Sequence, residues 1–309
     1  MRLLGSWDAD VVGLDVLDSP HTSLVGSIAD RAFVRRGMAG VDAVLHVATL
    51  HKPHVTSHGW QEFVDVNITG TLNLLEEAAA AAVGSFVFTS TTSAFGRALS
   101  PRPGEAAAWI DEGVAPVPRN IYGATKTAAE DLCELAHRDH GLPCMILRTS
   151  RFFPEADDRE DVRTGYADAN VKVNELLYRR GDIEDMASAH LRAVERAPEI
   201  GFGRYIVSAT TPFTRDDLAE LRADAPAVVR RLFPDYEAIY AERGWRMFPS
   251  VDRVYDNTRA REELGWSPRW DFRHALDRLA AGEEPRSELA VMVGAKGYHA
   301  APHGVYTVR

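Results

Sequence analysis

The 309 residues are 45% hydrophobic and 26% charged, with a formal net charge of -10. This suits a globular chain with a sizeable core and argues against nucleic acid as the main partner. No apolar run approaches the roughly 20 residues that span a bilayer, no charged stretch leads into an apolar one at the N-terminus, and two cysteines, Cys133 and Cys144, make no disulfide framework. A membrane span, a secretory leader and a disulfide scaffold are therefore set aside, and a cytoplasmic protein is expected.

In chain order, residues 11–16 form an apolar run with Asp15 near its end and read as a strand. Residues 30–39 read as a short helix and 43–47 as a strand. Phe63, Val66, Leu74 and Leu75 recur at helical spacing, which predicts one long helix over 60–82. Residues 86–89 form a strand that runs into five hydroxyl side chains, Thr89, Ser90, Thr91, Thr92 and Ser93. Residues 122–139 read as a helix and 144–147 as a strand. Strands alternating with helices predict parallel βαβ units.

Past Arg151 the pattern changes. Residues 154–161 are an acidic loop, 205–207 a further strand, and 214–222 and 227–231 are helical. Residues 258–264 make a helix stopped at Gly265, and 272–281 another. The tail from Pro285 is expected to be extended or loosely packed.

The chemistry concentrates in Ile-Tyr-Gly-Ala-Thr-Lys, where Tyr122 and Lys126 stand four apart on one helix face. An ammonium beside a phenol favours phenolate and so lowers a pKa that is otherwise about 10. Such a tyrosine exchanges protons with a carbinol or carbonyl near neutral pH. The chain has nine tyrosines and four lysines, which give roughly 0.1 pairs at this spacing by chance; a plain surface pair is the competing reading. The hydroxyls after residues 86–89 sit at a strand C-terminus, where open α/β sheets bind ligands.

Together these elements resemble the extended short-chain dehydrogenase/reductase family, the NAD-dependent sugar epimerases and dehydratases. The strand with its hydroxyls matches F-x-S-[ST]-[ST], which places the family's catalytic Ser/Thr at Thr91 and its Y-x-x-x-K at Tyr122 and Lys126. VLHVAT (44–49) is similar to the family's fourth strand, which puts Val47, Ala48 and Thr49 beside the cofactor. VNITGTLNLLEEA (66–78) matches a family helix in which Asn67 supports the active-site helix. GSIAD (26–30) stands where Ile28 and Asp30 would flank the adenine, with Ser27 in place of the usual first aspartate. LRTSRFF (147–153), DIEDMASAH (182–190) and ELGWSPRW (263–270) resemble later family segments, so the likeness spans about residues 9–280. The resemblance implies NAD as cofactor, with Ser90 also in its site, a small-molecule substrate that includes sugar nucleotides, and a homodimer built on the helices at 60–82 and 122–139. Arg151, Thr92 and His51 are the expected substrate contacts. Arg151 replaces a frequent asparagine, which puts a UDP-sugar in doubt. His46, His51, His54 and His58 have spacings compatible with a metal, but no cysteine or carboxylate accompanies them, and no metal is expected.

The family opens with a strand and G-x-x-G-x-x-G before a helix, which admit the cofactor's pyrophosphate. Nothing before Val11 matches. Residues 11–15 therefore read as the second strand, and Asp15 as the acid that bonds the adenosine ribose; no basic residue follows, which favours NAD over NADP. The expected fold is an α/β Rossmann-like doubly wound parallel sheet missing its first βα unit, with a smaller C-terminal substrate-binding part. Residues 1–151, with 181–208 returning, form the dinucleotide-binding domain; 152–180 and 209–309 form the substrate part. The missing strand belongs at the sheet centre, so its neighbours either close up and pair or leave two open edges. Two readings of the absence stay open: a start roughly 25–35 residues upstream, the length of one strand, loop and helix, or a truncated product unable to hold NAD. The first is preferred because the remaining motifs are intact. With Thr92 and Ser93 where dehydratases of the family carry an acid pair, a 4-epimerase-like enzyme or simple dehydrogenase is expected, against a non-catalytic remnant or binding module.

Overall fold

The computed structural model describes residues 1–295 except Asp8 and Asp158. Eight strands occur among them: β1 (Leu14–Asp15), β2 (Leu24–Val25), β3 (Ala43–His46), β4 (Ser85–Thr91), β5 (Ala108–Ile110), β6 (Cys144–Thr149), β7 (Phe202–Val207) and β8 (Arg253–Tyr255). β3, β4, β6 and β7 make one four-stranded sheet in that order. β3 pairs with β4 in parallel, Ala43 opposite Ser85 through His46 opposite Phe88. The fold is α/β and Rossmann-like, with helices between parallel strands.

β1 and β2 form a separate two-stranded parallel sheet, Leu14 opposite Leu24. Among the described residues no strand joins β1 to β3. β1 and β3 each keep an unpaired edge among the described residues. β1 is only two residues long, where the sequence predicts six, because nothing extends its ladder on the second side. Apolar side chains near these edges face solvent: Val16 is 64% exposed, Leu17 70% and Val47 61%. What anchors β1 and β2 is packing. Leu14 and Leu24 lie against a buried cluster that includes Phe33, Val34, Leu74, Leu75, Phe86 and Phe88.

The predicted helix over 60–82 is one helical run with an irregular middle. Trp60–Phe63 and Gly70–Ala80 are α-helical, and Val64–Thr69 between them is a π-helical turn. Such an inserted turn rotates the side chains that follow it and is common at functional sites. The helix Ile121–His140 starts at Asn120, whose Oδ1 accepts from Gly123 N at 3.0 Å, and ends at Gly141 in the left-handed region (φ 70°). The two helical segments predicted at 214–222 and 227–231 meet at a kink, where Asp224 is non-helical (φ -153°, ψ 77°) just before Pro226.

The chain divides into two compact units, one of residues 1–97, 116–148 and 187–205, the other of 98–115, 149–186 and the remainder. Residues 98–115, placed by sequence in the first domain, belong to the second unit. There β5 pairs in parallel with β8, and Trp109 Nε1 donates to Asp256 at 3.1 Å. The second unit has its own buried cluster around Leu177, Leu221, Val228, Val229, Phe272 and Leu276. The tail is ordered further than expected. Ser287, fully buried, donates through Oγ to Asp182 at 2.5 Å and caps the helix Glu288–Val293 by accepting from Ala290 N at 3.0 Å. The buried Asp182 carboxylate needs donors, and Ser287 supplies two, its N–H at 3.0 Å as well. The rest of the predicted tail, residues 296–309, lies outside the described residues.

One buried ion pair clamps the first unit. Glu130 on the helix accepts from Arg148 Nη2 of β6 at 2.7 Å and from Ser90 Oγ of β4 at 2.5 Å, with side chains 1% (Glu130) and 4% (Arg148) exposed. Removing one partner leaves a buried charge unmatched. Glu130→Ala is expected to cost about 3–5 kcal/mol, while the apolar double variant Glu130→Leu/Arg148→Met costs much less, both read from urea unfolding.

Candidate active site

β4 ends in Thr91, and the helix Ile121–His140 begins beside it. Gly123 permits the approach: a Cβ there would lie 3.0 Å from Ser93 O, so a larger residue would push the helix start away from the hydroxyl turn. Across this contact the Thr91 hydroxyl lies close enough to the Tyr122 phenol to lower its pKa. Tyr122 (3% exposed), Lys126 (2%) and Thr91 (8%) are all buried, so the three residues expected to carry the chemistry are brought together.

Their electrostatics differ in one respect from the sequence expectation. Burial pushes the Tyr122 phenol well above its ordinary value, and the Thr91 hydrogen bond pulls the other way; Lys126 is not among the causes. Burial also lowers Lys126 to about 7, against the raising influence of Cys133 and Glu130. Its Nζ lies 4.0 Å from the centroid of the Phe88 ring, a cation–π contact. Burial thus weakens the lysine charge near neutral pH, and Cys133 and Glu130 offset this only in part.

Asn67, on the π-helical turn, links the loop after β3 to the active-site helix. Its Oδ1 accepts from Leu50 N (2.7 Å) and Thr49 Oγ1 (3.0 Å), and its Nδ2 donates to Leu50 O and Thr125 Oγ1 (3.0 Å each). That loop holds the half-buried His51 against Tyr122, ring centroids 5.0 Å apart. Loss of water, then His54, Lys126 and Lys52, lower His51 to about 3, so its ring is neutral at pH 7. His46 is buried instead against Thr71 Oγ1 (2.8 Å). His54 and His58 pack edge to face. Thr92, partly buried, begins the turn after Thr91.

Other expected site residues have local structural duties. Asp30 caps the helix Arg31–Gly37, its Oδ1 accepting from Ala32 N (2.9 Å) and Phe33 N (3.2 Å). Ile28 is a core residue, packed on Gly70. Ser90 donates to Glu130. Asp15 is exposed at the end of β1, with Oδ1 accepting from Leu17 N at 3.0 Å. Val47 is exposed, and Ala48 and Thr49 are partly buried.

In the second unit, Arg151 is tied to Asp157 and to Glu175 Oε1 (3.0 Å). Arg179 (2.7 Å) and Arg180 (2.8 Å) converge on the same Glu175. Desolvation would raise this fully buried carboxyl, but the three guanidiniums outweigh it and hold it at about 2. Glu175 and Arg179 stand four apart in the chain, but nothing local ties either of them to Arg151.

A hydroxyl-bearing strand end, a buried Tyr-x-x-x-Lys helix and an asparagine brace point to one family, and comparison decides it. The model of the NAD dependent epimerase/dehydratase family matches residues 1–207. The chain belongs to that family. It is 30% identical to the UDP-glucose 4-epimerase of Rhizobium meliloti (strain 1021) over 74% of this chain and 73% of that one. It is 30% identical to the dTDP-glucose 4,6-dehydratase of Streptomyces antibioticus over 87% of this chain and 78% of the other. In fold it is similar to a short-chain dehydrogenase/reductase superfamily protein of Agrobacterium tumefaciens with bound NAD (TM-score 0.61, 22% identity, 91% of each chain).

The family implies NAD, and the residues present fit parts of it. Tyr122 and Lys126 suit the nicotinamide and its ribose, and Asp15 suits the adenosine ribose. The pyrophosphate has no cradle among the described residues: before β1 there is a single 3-10 turn, Leu4–Ser6, and no glycine-rich turn opens a helix.

The shifted lysine carries a pH prediction. Lys126 is near 10.4 when unfolded and about 7 when folded, so the cost of burying its charge is full below pH 7 and is relieved as pH rises toward the unfolded value. Lys126→Met should therefore raise Tm by several degrees at pH 6 and far less at pH 10, measured by thermal unfolding across pH.

Proposed function

We propose that the Tyr122–Thr91–Lys126 cluster serves an NAD-dependent epimerase or dehydrogenase acting on a hydroxyl or carbonyl of a sugar or nucleotide sugar. The observation that carries this is the burial of Tyr122, Lys126 and Thr91 where the helix Ile121–His140 starts beside the end of β4, with the Thr91 hydroxyl close enough to the Tyr122 phenol to lower its pKa. NAD, when bound, supplies a hydride acceptor and donor. This chain's own groups handle the proton. Thr91 orients the reacting oxygen, and Tyr122 gives a proton to it or takes one from it. In the chain as it stands the phenol is held protonated by burial, which suits donation to a carbonyl oxygen. His51 covers the tyrosine ring, keeps water from it and borders the substrate.

The substrate reading draws on the second unit. Arg151, Arg179 and Arg180 gather around Glu175, and clustered guanidiniums suit a phosphate. Thr92 and Ser93 supply no acid–base pair for loss of water, which favours epimerase or dehydrogenase over dehydratase. The helices proposed for a homodimer carry exposed Trp60, Leu72 and Leu135.

The open edges of β1 and β3 favour a second reading, a non-catalytic remnant that cannot hold NAD. Thermal unfolding separates the two, with NAD added to the 309-residue chain and to a version given an N-terminal strand, G-x-x-G-x-x-G turn and helix. The enzyme reading expects about 1 mM NAD to raise Tm by roughly 3 °C or more in the extended version. No shift in either supports the remnant. In the extended version Tyr122→Phe should lower turnover by about 10²–10⁴-fold, and retained turnover would reject its role.

A further inference from the structure

In the first unit a run of buried hydrogen bonds leads from β3 to the start of the helix Ile121–His140. His46, the last residue of β3, is buried, and its Nε2 lies 2.8 Å from Thr71 Oγ1. Thr71, also buried, donates its hydroxyl proton to Asn67 O at 2.7 Å. Asn67 Nδ2 donates to Thr125 Oγ1 at 3.0 Å, and the Thr125 hydroxyl shares its proton between Ile121 O (2.9 Å) and Tyr122 O (3.1 Å). The Asn67 side chain also closes on both backbone groups of Leu50, the residue before His51.

The direction of every link is forced. A threonine hydroxyl has a single proton. Asn67 O takes that of Thr71, so toward His46 the hydroxyl accepts, and Nε2 must carry the hydrogen. The Asn67 amide cannot be turned over, because Leu50 N meets Oδ1 at 2.7 Å and Leu50 O meets Nδ2 at 3.0 Å. Thr125 therefore accepts from Nδ2 and donates onward. The second ring nitrogen of His46, Nδ1, is buried with no hydrogen-bond partner among the described residues. This place tolerates a bare lone pair and penalises a second N–H. Burial, then the Lys126 charge, lower the ring to about 3, so it is neutral at pH 7. Phe86 and Phe88 pack against it, with centroids 6.1 and 5.2 Å away. His46 is thus a donor with one tautomer and no charge. A threonine bond to the carbonyl four residues back competes with the regular helical ladder and bends a helix. It persists where something holds the hydroxyl in that rotamer, and His46 does so beside the π-helical turn that carries Asn67.

We propose that His46, acting through Thr71, is a positioning residue for the Tyr122 site: it ties the π-helical turn to β3 in the register that aims the Asn67 side chain at Leu50 and Thr125. The inference rests on the proposed role of Tyr122. Without the His46 donor the Thr71 hydroxyl is free to turn away from Asn67 O, and the turn loses its link to the sheet. Asn67 then releases Leu50, and the His51 ring leaves its place against Tyr122.

Solution NMR of the full 309-residue chain tests this without turnover, so it can fail while the reading of Tyr122 as the proton-transfer group stands. Long-range ¹H–¹⁵N spectra should show the His46 ring with its hydrogen on Nε2 from about pH 5 to about pH 8. Two variants remove the link: His46→Phe keeps a ring without a donor, and Thr71→Val keeps the shape without the hydroxyl. In each, the Leu50 amide should exchange with solvent about tenfold faster, and the nuclear Overhauser effect between the His51 and Tyr122 rings, now 5.0 Å apart, should be lost. Amides of the inner strand β4 should change by less than about twofold. His46→Gln, whose amide offers a donor at the place of Nε2, and Thr71→Ser, which keeps the hydroxyl, should both hold Leu50 exchange within about threefold of the original. A role in stability alone would accelerate β4 and Leu50 together. The proposal is overturned if His46 carries its hydrogen on Nδ1, if Leu50 exchange and the ring contact survive in both His46→Phe and Thr71→Val, if β4 accelerates as much as Leu50, or if His46→Gln behaves like His46→Phe.

Discussion

A single buried carboxylate holds the first unit's site in register. Glu130 lies two turns along the helix from Tyr122 and one from Lys126, and it binds Ser90 on β4 and Arg148 on β6 at once. Because the charge is buried, it cannot slide to a water-bound alternative without a large desolvation cost. The helix is therefore locked against two strands, and the phenol at its start meets Thr91 as a consequence. The same carboxylate supports the Lys126 charge, which burial would otherwise suppress further. The geometry of the Tyr122–Lys126 helix is thus set by a structural ion pair, with Asn67 bracing it through Thr125.

The β1–β2 sheet is the contrast. A parallel sheet gains its stability from strands paired on both sides and covered on both faces. Here β1 and β2 stand apart from the four-stranded sheet, and valines and leucines near the open edges remain in water. The first unit thus joins the closely packed Tyr122–Thr91–Lys126 cluster to a two-stranded sheet, β1 and β2, that is held by side-chain packing.

Much of this was legible in the sequence. The helix read over 122–139 runs from Ile121 to His140. The stop of the helix Thr258–Leu264 at Gly265 is local. The kink at Asp224 was foreshadowed by Pro226, which divided the two predicted helical segments. β5 was not legible, since three residues carry no periodicity and its partner β8 lies far along the chain. The ordered turn at Ser287 was missed for a related reason: its partner Asp182 is 105 residues away.

What the amino-acid order determined by itself was the chemistry available and its local placement: a tyrosine and a lysine on one helix face, hydroxyls at a strand end, caps and stops, and the lack of a glycine-rich turn before Val11. These are properties of neighbours along the chain, set by 3.6- and 2-residue periods and by side-chain type. Tertiary structure alone decided how each polar group is spent. Ser90 went to Glu130, Asp30 to a helix cap, Ile28 to the core and Arg151 to Glu175. Hydrogen-bond satisfaction and burial depend on partners that folding brings together from distant positions, and no local pattern encodes which of several candidates wins.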